Sequence, residues 1–297
     1  MPNETQQPLL EPEFLARLER LAIAVKKVQL GINKGERKSK RKGISIEFAD
    51  YRDYVQGDDL RFVDWNIFGR LDALYLKLFQ EQEDLTVHLL IDASASMRFG
   101  KPSKIEFAGK MAAAIGYIAL TSYDRVSAEA FSSIGSSQLQ PCRGRASAHK
   151  LFSFIQSIEP ENGTNLEQAC RTYVTRNRTK GVALLVTDFF DEAGFDGCLR
   201  RLQQSGSDLY VIHALSPEEI DPPITGDLKL VDSETNAFTE ISVSRGLLKR
   251  YKENLTGFCE EIRRFCLARG IVYVPVSTET SVEQLTLDVL RRGGMLR

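Results

Sequence analysis

Hydrophobic residues in the later two thirds of the chain fall into short runs that alternate with longer periodic segments. The short runs are TVHLLID, RVSAEAF, GVALLVTDF, DLYVIHAL and IVYVPV. Several of them are apolar almost throughout, as strands buried on both faces must be. Between them, segments such as IEFAGKMAAAIGYIALTS repeat apolar residues at helical spacing. Alternating strands and helices predict an α/β fold with a parallel sheet covered by helices on both faces.

The first part of the chain follows a different pattern. Residues 12–32 carry apolar positions at helical spacing and predict an amphipathic helix, and residues 73–82 alternate like a strand. Between them lie a basic run, 37–42, and a charged, turn-rich stretch, 43–70. We therefore expect an N-terminal segment, 1–84, that docks on a core domain, 85–297. Pro and Gly turns near 217–242 predict a hairpin inserted in that core.

Composition and charge are those of an ordinary globular protein. The 297 residues are 42% hydrophobic and 27% charged, and the formal net charge is -1, so bulk charge favours neither a nucleic acid nor a membrane as partner. No apolar run reaches the length of a spanning helix, and the N-terminus lacks the pattern of a secretory signal. Five cysteines without CxxC spacing argue against a disulfide framework and a zinc site. A cytoplasmic location is the simplest expectation.

Polar side chains follow three of the predicted elements at points that share one edge of a parallel sheet. Ligands of such folds bind beyond the carboxyl ends of the strands. The set offers two carboxylates and three hydroxyls, which suit a hard cation such as Mg²⁺, or Mn²⁺ or Ca²⁺. Its members are Asp92, Ser94 and Ser96 after the first strand, Thr164 in the loop ENGTN, and Asp188 after GVALLV.

The pattern Asp92-x-Ser94-x-Ser96, followed by Thr164 and Asp188, resembles the metal-ion-dependent adhesion site of von Willebrand factor A domains. The resemblance implies a Rossmann-like, mostly parallel six-stranded sheet. It also implies that the three hydroxyls ligate the ion directly and that the aspartates ligate directly or through water. Such an ion can accept one more carboxylate, from a partner. Phe189 stands where the family usually has a small residue, and a more apolar metal rim is expected from it.

The upstream segment resembles a bacterial family called domain of unknown function 58, in which this block precedes an A-type domain. The matching positions are Glu47-Phe48, Tyr51-Arg52-x-Tyr54, Gly57-Asp58-Asp59-x-Arg61, Asp64-Trp65 and Arg70. Proteins of that family are often encoded beside MoxR-type AAA+ ATPases. The resemblance implies an adaptor that works with such an ATPase or its client through an acidic residue of the partner.

Each candidate residue also has a structural interpretation. Thr164-x-x-Glu167 and Ser103-x-x-Glu106 are capping-box patterns, so the Thr164 hydroxyl could bond a helix amide instead of a metal. Charged groups near buried surface are usually paired. The upstream charges are therefore expected to form ion pairs that dock this segment, with Trp65 as an anchor; they are Asp58, Asp59 and Asp64 with Arg52, Arg61 or Arg70.

Three classes of function remain open at the level of sequence. The favoured one is a metal-dependent protein-interaction module without catalysis, since neither a catalytic triad nor a GxxxxGK[ST] phosphate loop can be found. A metal-dependent hydrolase of the phosphoesterase type is the first alternative. A nucleic-acid-binding protein that uses the basic run 37–42 is the second, disfavoured by the near-zero net charge. His88 and His213 lie in predicted buried strands and are expected to be core residues.

Overall fold

The structure of the chain is a computed structural model. It describes residues 8–23, 46–81, 85–132, 135–161, 163, 165–177, 179–191, 193–231, 238–290 and 295–296. The chain divides into two compact units. The first unit contains the described residues up to 23 and from 85 onward, and the second contains those between 46 and 81.

The described residues form the following helices and strands. The helices are α1 (Pro12–Leu18), α2 (Trp65–Leu71), α3 (Lys104–Thr121), α4 (Ala148–Gln156), α5 (Leu166–Arg176), α6 (Asp196–Gln204), α7 (Pro217–Ile220), α8 (Arg245–Leu267) and α9 (Val282–Gln284), which continues as a π-helix (Leu285–Leu290). The strands are β1 (Ile46–Asp53), β2 (Tyr75–Glu81), β3 (Thr86–Asp92), β4 (Arg125–Ser132), β5 (Gly135–Arg143), β6 (Val182–Thr187), β7 (Asp208–Leu215), β8 (Gly226–Val231), β9 (Phe238–Val243) and β10 (Val272–Ser277).

Six strands of the first unit form one sheet in the order β10-β7-β6-β3-β4-β5. All neighbours are parallel except β4 and β5. This confirms the predicted mixed α/β architecture with a mostly parallel sheet. Strand β5 was not predicted because its sequence, GSSQLQPCR, is polar and mostly exposed, as an edge strand can be. The hairpin expected near 217–242 is present as β8 and β9.

Helices cover both faces of this sheet, and the central strand β3 shows why most of its residues are apolar. Leu89 and Ile91 point into a core that contains α1, α3 and α4, whereas Leu90 points into a second core with α5, α6 and α8. Successive side chains of a strand alternate between faces, so a strand buried on both sides needs an apolar residue at every position. Helix α3 is buried along most of its length.

The N-terminal helix is shorter than the sequence pattern predicts. Helix α1 ends at Leu18, and residues 19–23 leave helical geometry, so the prediction of a helix across 12–32 is wrong for this part. The competing interaction is a backbone bridge between Ile23 and Leu296, which draws the chain into an extended conformation. Residues 24–32 of the predicted helix lie outside the described residues.

Two of the five cysteines are joined. Cys170 of α5 and Cys198 of α6 form a disulfide with a Cα–Cα distance of 5.3 Å, and both side chains are buried. The sequence argued against a disulfide framework and did not predict this single pair. Spacing along the chain could not reveal it, because the two residues meet only when α5 packs beside α6.

The second unit is built on an antiparallel pair, β1 and β2, and β2 confirms the strand predicted over 73–82. The chain between these strands forms a 3₁₀ turn, Leu60–Phe62, and helix α2. Asp64 caps α2 by accepting hydrogen bonds from the amides of Asn66 and Ile67. This cap explains why the helix begins at Trp65.

Candidate functional site

The loop after β3 brings the first three predicted residues to the carboxyl edge of the sheet. Asp92 ends the strand, and its two carboxylate oxygens accept hydrogen bonds from the Ser94 amide at 3.0 Å and from the Thr187 hydroxyl at 2.6 Å. The Ser94 hydroxyl lies 3.0 Å from that of Ser96. Asp92 and Ser94 are buried, whereas Ser96 is partly exposed. Solvent therefore reaches this group at Ser96.

Asp188, the residue directly after the neighbouring strand β6, joins the same group. Its Oδ2 accepts a hydrogen bond from the Ser96 hydroxyl at 2.7 Å, and its Oδ1 accepts one from the Phe190 amide at 3.0 Å. The backbone turns away from the strand at Phe189, which has a left-handed φ of 58°. The structure thus places four of the five predicted residues in one hydrogen-bonded group. We call this group the acidic edge: Asp92, Ser94, Ser96 and Asp188.

The fifth predicted residue, Thr164, lies outside the described residues, and so does the basic run 37–42. The N-cap of α5 is Asn165, whose side chain accepts from the Gln168 amide at 2.9 Å. The capping box predicted at Ser103 and Glu106 is present at the start of α3.

Two charged residues at the acidic edge were missed by the sequence analysis. Lys104, the first residue of α3, is completely buried, and its Nζ donates to Asp188 Oδ2 at 2.7 Å and to Glu219 Oε1 at 2.5 Å. Glu219 belongs to the short helix α7 and is held by a capping box with Ser216. A signal for Lys104 did exist: a lysine in the first turn of a helix is disfavoured by the helix dipole, so its presence there calls for a separate partner.

Burial and like charge shape the electrostatics of the acidic edge. Burial, and next the charge of Asp188, raise the pKa of Asp92 to about 7, although hydrogen bonds from Thr187 and Ser94 oppose this. Burial also raises the pKa of Glu219, against the effect of Lys104. The carboxyl groups of Asp92, Asp188 and Glu219 thus lie near a single ammonium, that of Lys104, where little solvent reaches them. Additional positive charge at this edge would stabilise the ionised carboxylates.

The buried side chains of Phe189 and His213 lie next to the acidic edge. The Phe189 ring is buried against Phe195 and His213, so the expectation that it lines an apolar rim is wrong. The aromatic side chain beside the site is Phe190, whose ring centroid lies 4.9 Å from Lys104 Nζ. His213 is a buried core residue, as expected. Its Nε2 lies 3.0 Å from the Asp188 carbonyl oxygen, and burial lowers its pKa to about 4.

The upstream candidates all lie in the second unit. Arg52 pairs with Asp58 through two hydrogen bonds of 2.8 and 2.7 Å, and Arg61 pairs with Asp59 at 2.5 Å. Asp64 caps α2 and also accepts a hydrogen bond from the Tyr51 hydroxyl at 3.1 Å.

Trp65 is 58% exposed, and Arg70 lies on the exposed side of α2. That this segment docks on the core stays a prediction.

Within the described ranges, no three histidine, cysteine, aspartate or glutamate side chains are grouped as ligands of a metal ion. In the same part of the chain, no helix has both the length and the apolar character needed to cross a bilayer.

The fold and the acidic edge together define an α/β protein with a doubly covered, mostly parallel sheet and a polar group at its carboxyl edge. The chain belongs to the family described as "Protein of unknown function DUF58", whose match covers residues 50–257. It is 25% identical to Uncharacterized protein Rv1480 of Mycobacterium tuberculosis and to Uncharacterized protein Mb1516 of Mycobacterium bovis, each over 251 residues, or 83% of this chain and 79% of theirs.

Two solved structures align with parts of this chain at low similarity. One is the conserved hypothetical protein BatB from Bacteroides thetaiotaomicron, with 16% identity, a TM-score of 0.43, and coverage of 70% of this chain and 98% of that chain. The other is the pilus adhesin SpaC from Lactobacillus rhamnosus GG, with 12% identity, a TM-score of 0.44, and coverage of 73% and 30%. At these TM-scores neither likeness bears on function.

Proposed function

We propose that this protein is a metal-dependent protein-interaction module. The acidic edge, together with Thr164, would hold a divalent cation, with Mg²⁺ as the first candidate and Mn²⁺ or Ca²⁺ as alternatives. The bound cation would supply an electrophilic centre for a carboxylate of a protein partner. The family resemblance suggests a MoxR-type AAA+ ATPase or its client as that partner, with the present protein as an adaptor rather than an enzyme.

The observation that carries the proposal is the spacing of the oxygens. Neighbouring ligands of an octahedral Mg²⁺ with bonds of ~2.1 Å lie about 3.0 Å apart. The Ser94 and Ser96 hydroxyls are 3.0 Å apart, and Ser96 Oγ is 2.7 Å from Asp188 Oδ2. Uncharged hydroxyls and carboxylates are also the ligand types that a hard cation prefers. The donor set therefore fits a small divalent ion.

The protein's own residues have distinct tasks in this proposal. Asp92 is oriented from both sides, by the Ser94 amide and the Thr187 hydroxyl, and so fixes the loop after β3. Ser96 is the partly exposed member and faces the side from which a partner carboxylate would approach. Because this side is open and the rest is buried, one ligand position is expected to be available to a partner.

Metal binding is tested with Ser96→Ala and a matched control. Titration of Mn²⁺, followed by electron paramagnetic resonance, should show one site in the wild type and at least ~10-fold weaker binding in Ser96→Ala, as is typical for losing a metal ligand or its support. Ser153→Ala makes the same chemical change on the exposed side of α4 and should bind like the wild type. Absence of a Mn²⁺ site in the wild type would refute the proposal.

Partner capture is the second part of the test. A purified MoxR-type AAA+ ATPase of the same organism should be retained by the wild type in Mg²⁺, lost in excess EDTA, and lost with Ser96→Ala. Equal retention in all three conditions would show that the contact does not use a metal.

A further inference from the structure

We infer that the buried ammonium of Lys104 weakens the binding of a divalent cation at the acidic edge. Glu219 limits this effect because its carboxylate pairs with the same ammonium. This inference rests on the proposed metal site and adds to it a residue pair that sets its affinity. The observation behind it is that one carboxylate oxygen, Asp188 Oδ2, is shared by a candidate ligand and by a buried cation.

The distances place the ammonium within the electrostatic reach of the site. Ser96 Oγ and Lys104 Nζ both lie 2.7 Å from Asp188 Oδ2, so they cannot be farther apart than twice that distance. Both Lys104 and Asp188 are almost completely shielded from solvent, which means that water and salt screen the interaction little. A divalent ion that binds beside Ser96 therefore meets a fixed positive charge nearby.

Glu219 determines how strongly that charge is felt. Its Oε1 lies 2.5 Å from Lys104 Nζ, and its Oε2 accepts from the Ser216 amide at 2.8 Å, so the carboxylate is held in place. Helix α7, which carries it, is further tied to α8 by the Tyr251 hydroxyl, which donates to the Glu219 carbonyl oxygen at 2.8 Å. The glutamate thus neutralises part of the ammonium's charge and draws it toward α7.

Substitutions of Lys104 and of Glu219 are expected to change the affinity for Mn²⁺ in opposite directions. Lys104→Met removes a positive charge near the ion and should tighten Mn²⁺ binding at least ~10-fold, the effect of one charge on a divalent ion at about 5 Å even in a water-like dielectric. Glu219→Gln removes the neutralising charge, leaves Lys104 with Asp188, and should weaken binding several-fold. If the two residues served only to hold the fold, both variants would weaken binding.

The experiment measures Mn²⁺ affinity by electron paramagnetic resonance for the full-length wild type, Lys104→Met, Glu219→Gln and a control, Lys110→Met. Lys110 lies on the exposed face of the same helix, so its variant should bind like the wild type. Melting temperature provides a second measurement. Lys104→Met should melt lower than the wild type in EDTA, and it should gain more from saturating Mn²⁺, because ligand binding to the folded state stabilises it by mass action.

The pattern of Mn²⁺ affinities among these variants tests the inference separately from the proposed function. Tighter binding in Lys104→Met with weaker binding in Glu219→Gln supports the inference. Unchanged or weaker binding in Lys104→Met, or unchanged or tighter binding in Glu219→Gln, overturns it, and a wild type that binds Mn²⁺ would then leave the proposed function standing. If only Lys104→Met binds, the inference holds and the proposed function of the wild type fails. If no variant binds, both fail.

Discussion

Replacing Asp188 with alanine in metal-free buffer should destabilise the first unit far more than an ordinary surface substitution. The side chain is 1% exposed and accepts hydrogen bonds from Ser96, the Phe190 amide and Lys104. Its removal leaves a fully buried ammonium with one carboxylate, Glu219, instead of two. Removing one partner of a buried ion pair typically costs about 3–5 kcal/mol.

The magnitude can be measured as a shift of the urea midpoint. With a denaturant slope of ~3 kcal/mol/M, as suits a unit of this size, a loss of about 3–5 kcal/mol lowers the midpoint by about 1–1.7 M. Far-UV circular dichroism is the appropriate probe. The single tryptophan, Trp65, lies in the second unit, so its fluorescence would report on the wrong part of the chain.

A control and a double mutant make this prediction specific. Glu253→Ala removes a carboxylate from an exposed ion pair with Lys249 and should change the free energy of unfolding by no more than ~0.5 kcal/mol. Asp188→Ala combined with Lys104→Met should cost less than the sum of the single variants by about 1–3 kcal/mol, because the two residues are in contact. If Asp188→Ala lay within ~1 kcal/mol of the wild type, the buried ion pair would have no energetic role.

Three further predictions follow from other parts of the structure. Burial lowers the pKa of His88 from 6.5, despite its contact with the Thr179 carbonyl, so the unfolded chain takes up the proton first as the pH falls. The unfolding free energy of the wild type should therefore decline relative to His88→Gln between pH 7.5 and pH 5, measured by urea titration; a constant difference would contradict this. Asp64→Ala should destabilise the second unit by ~1 kcal/mol, because it removes the side-chain cap of α2. Unfolding followed by tryptophan fluorescence measures this loss, with the conservative variant Asp64→Asn as the control. Denatured, unreduced protein should react with three equivalents of a thiol reagent by mass spectrometry, since Cys170 and Cys198 are joined; five equivalents would show that they are not.

The sequence predicted those features that a single stretch of chain determines. Strands β3, β6 and β7 were found because burial on both faces requires an apolar residue at nearly every position. Parallel strands end at a common edge, so Asp92 and Asp188, which end or follow two such strands, had to come close to each other. Ser94 and Ser96 follow from Asp92 by chain connectivity alone.

The sequence could not predict features that depend on packing between distant elements. The position of Lys104 in the first turn of a helix indicates that it needs a partner, but only the approach of α7 to α3 places Glu219 beside it. The bond between Cys170 and Cys198 depends in the same way on how α5 meets α6. Strand β5 is held in the sheet by backbone pairing with β4. This pairing requires no apolar pattern in the sequence of β5.

The acidic edge also explains why a lysine is placed at the start of α3 at all. Two carboxylates at the ends of adjacent strands, Asp92 and Asp188, would repel each other in a poorly solvated place when both are ionised. The nearby ammonium of Lys104 offsets part of that repulsion. A permanent full compensation would, however, leave no attraction for a divalent ion. If the edge holds the proposed cation, sharing the charge of Lys104 with Glu219 would leave an excess of negative charge for that cation, and one residue pair would balance stability without metal against affinity for metal.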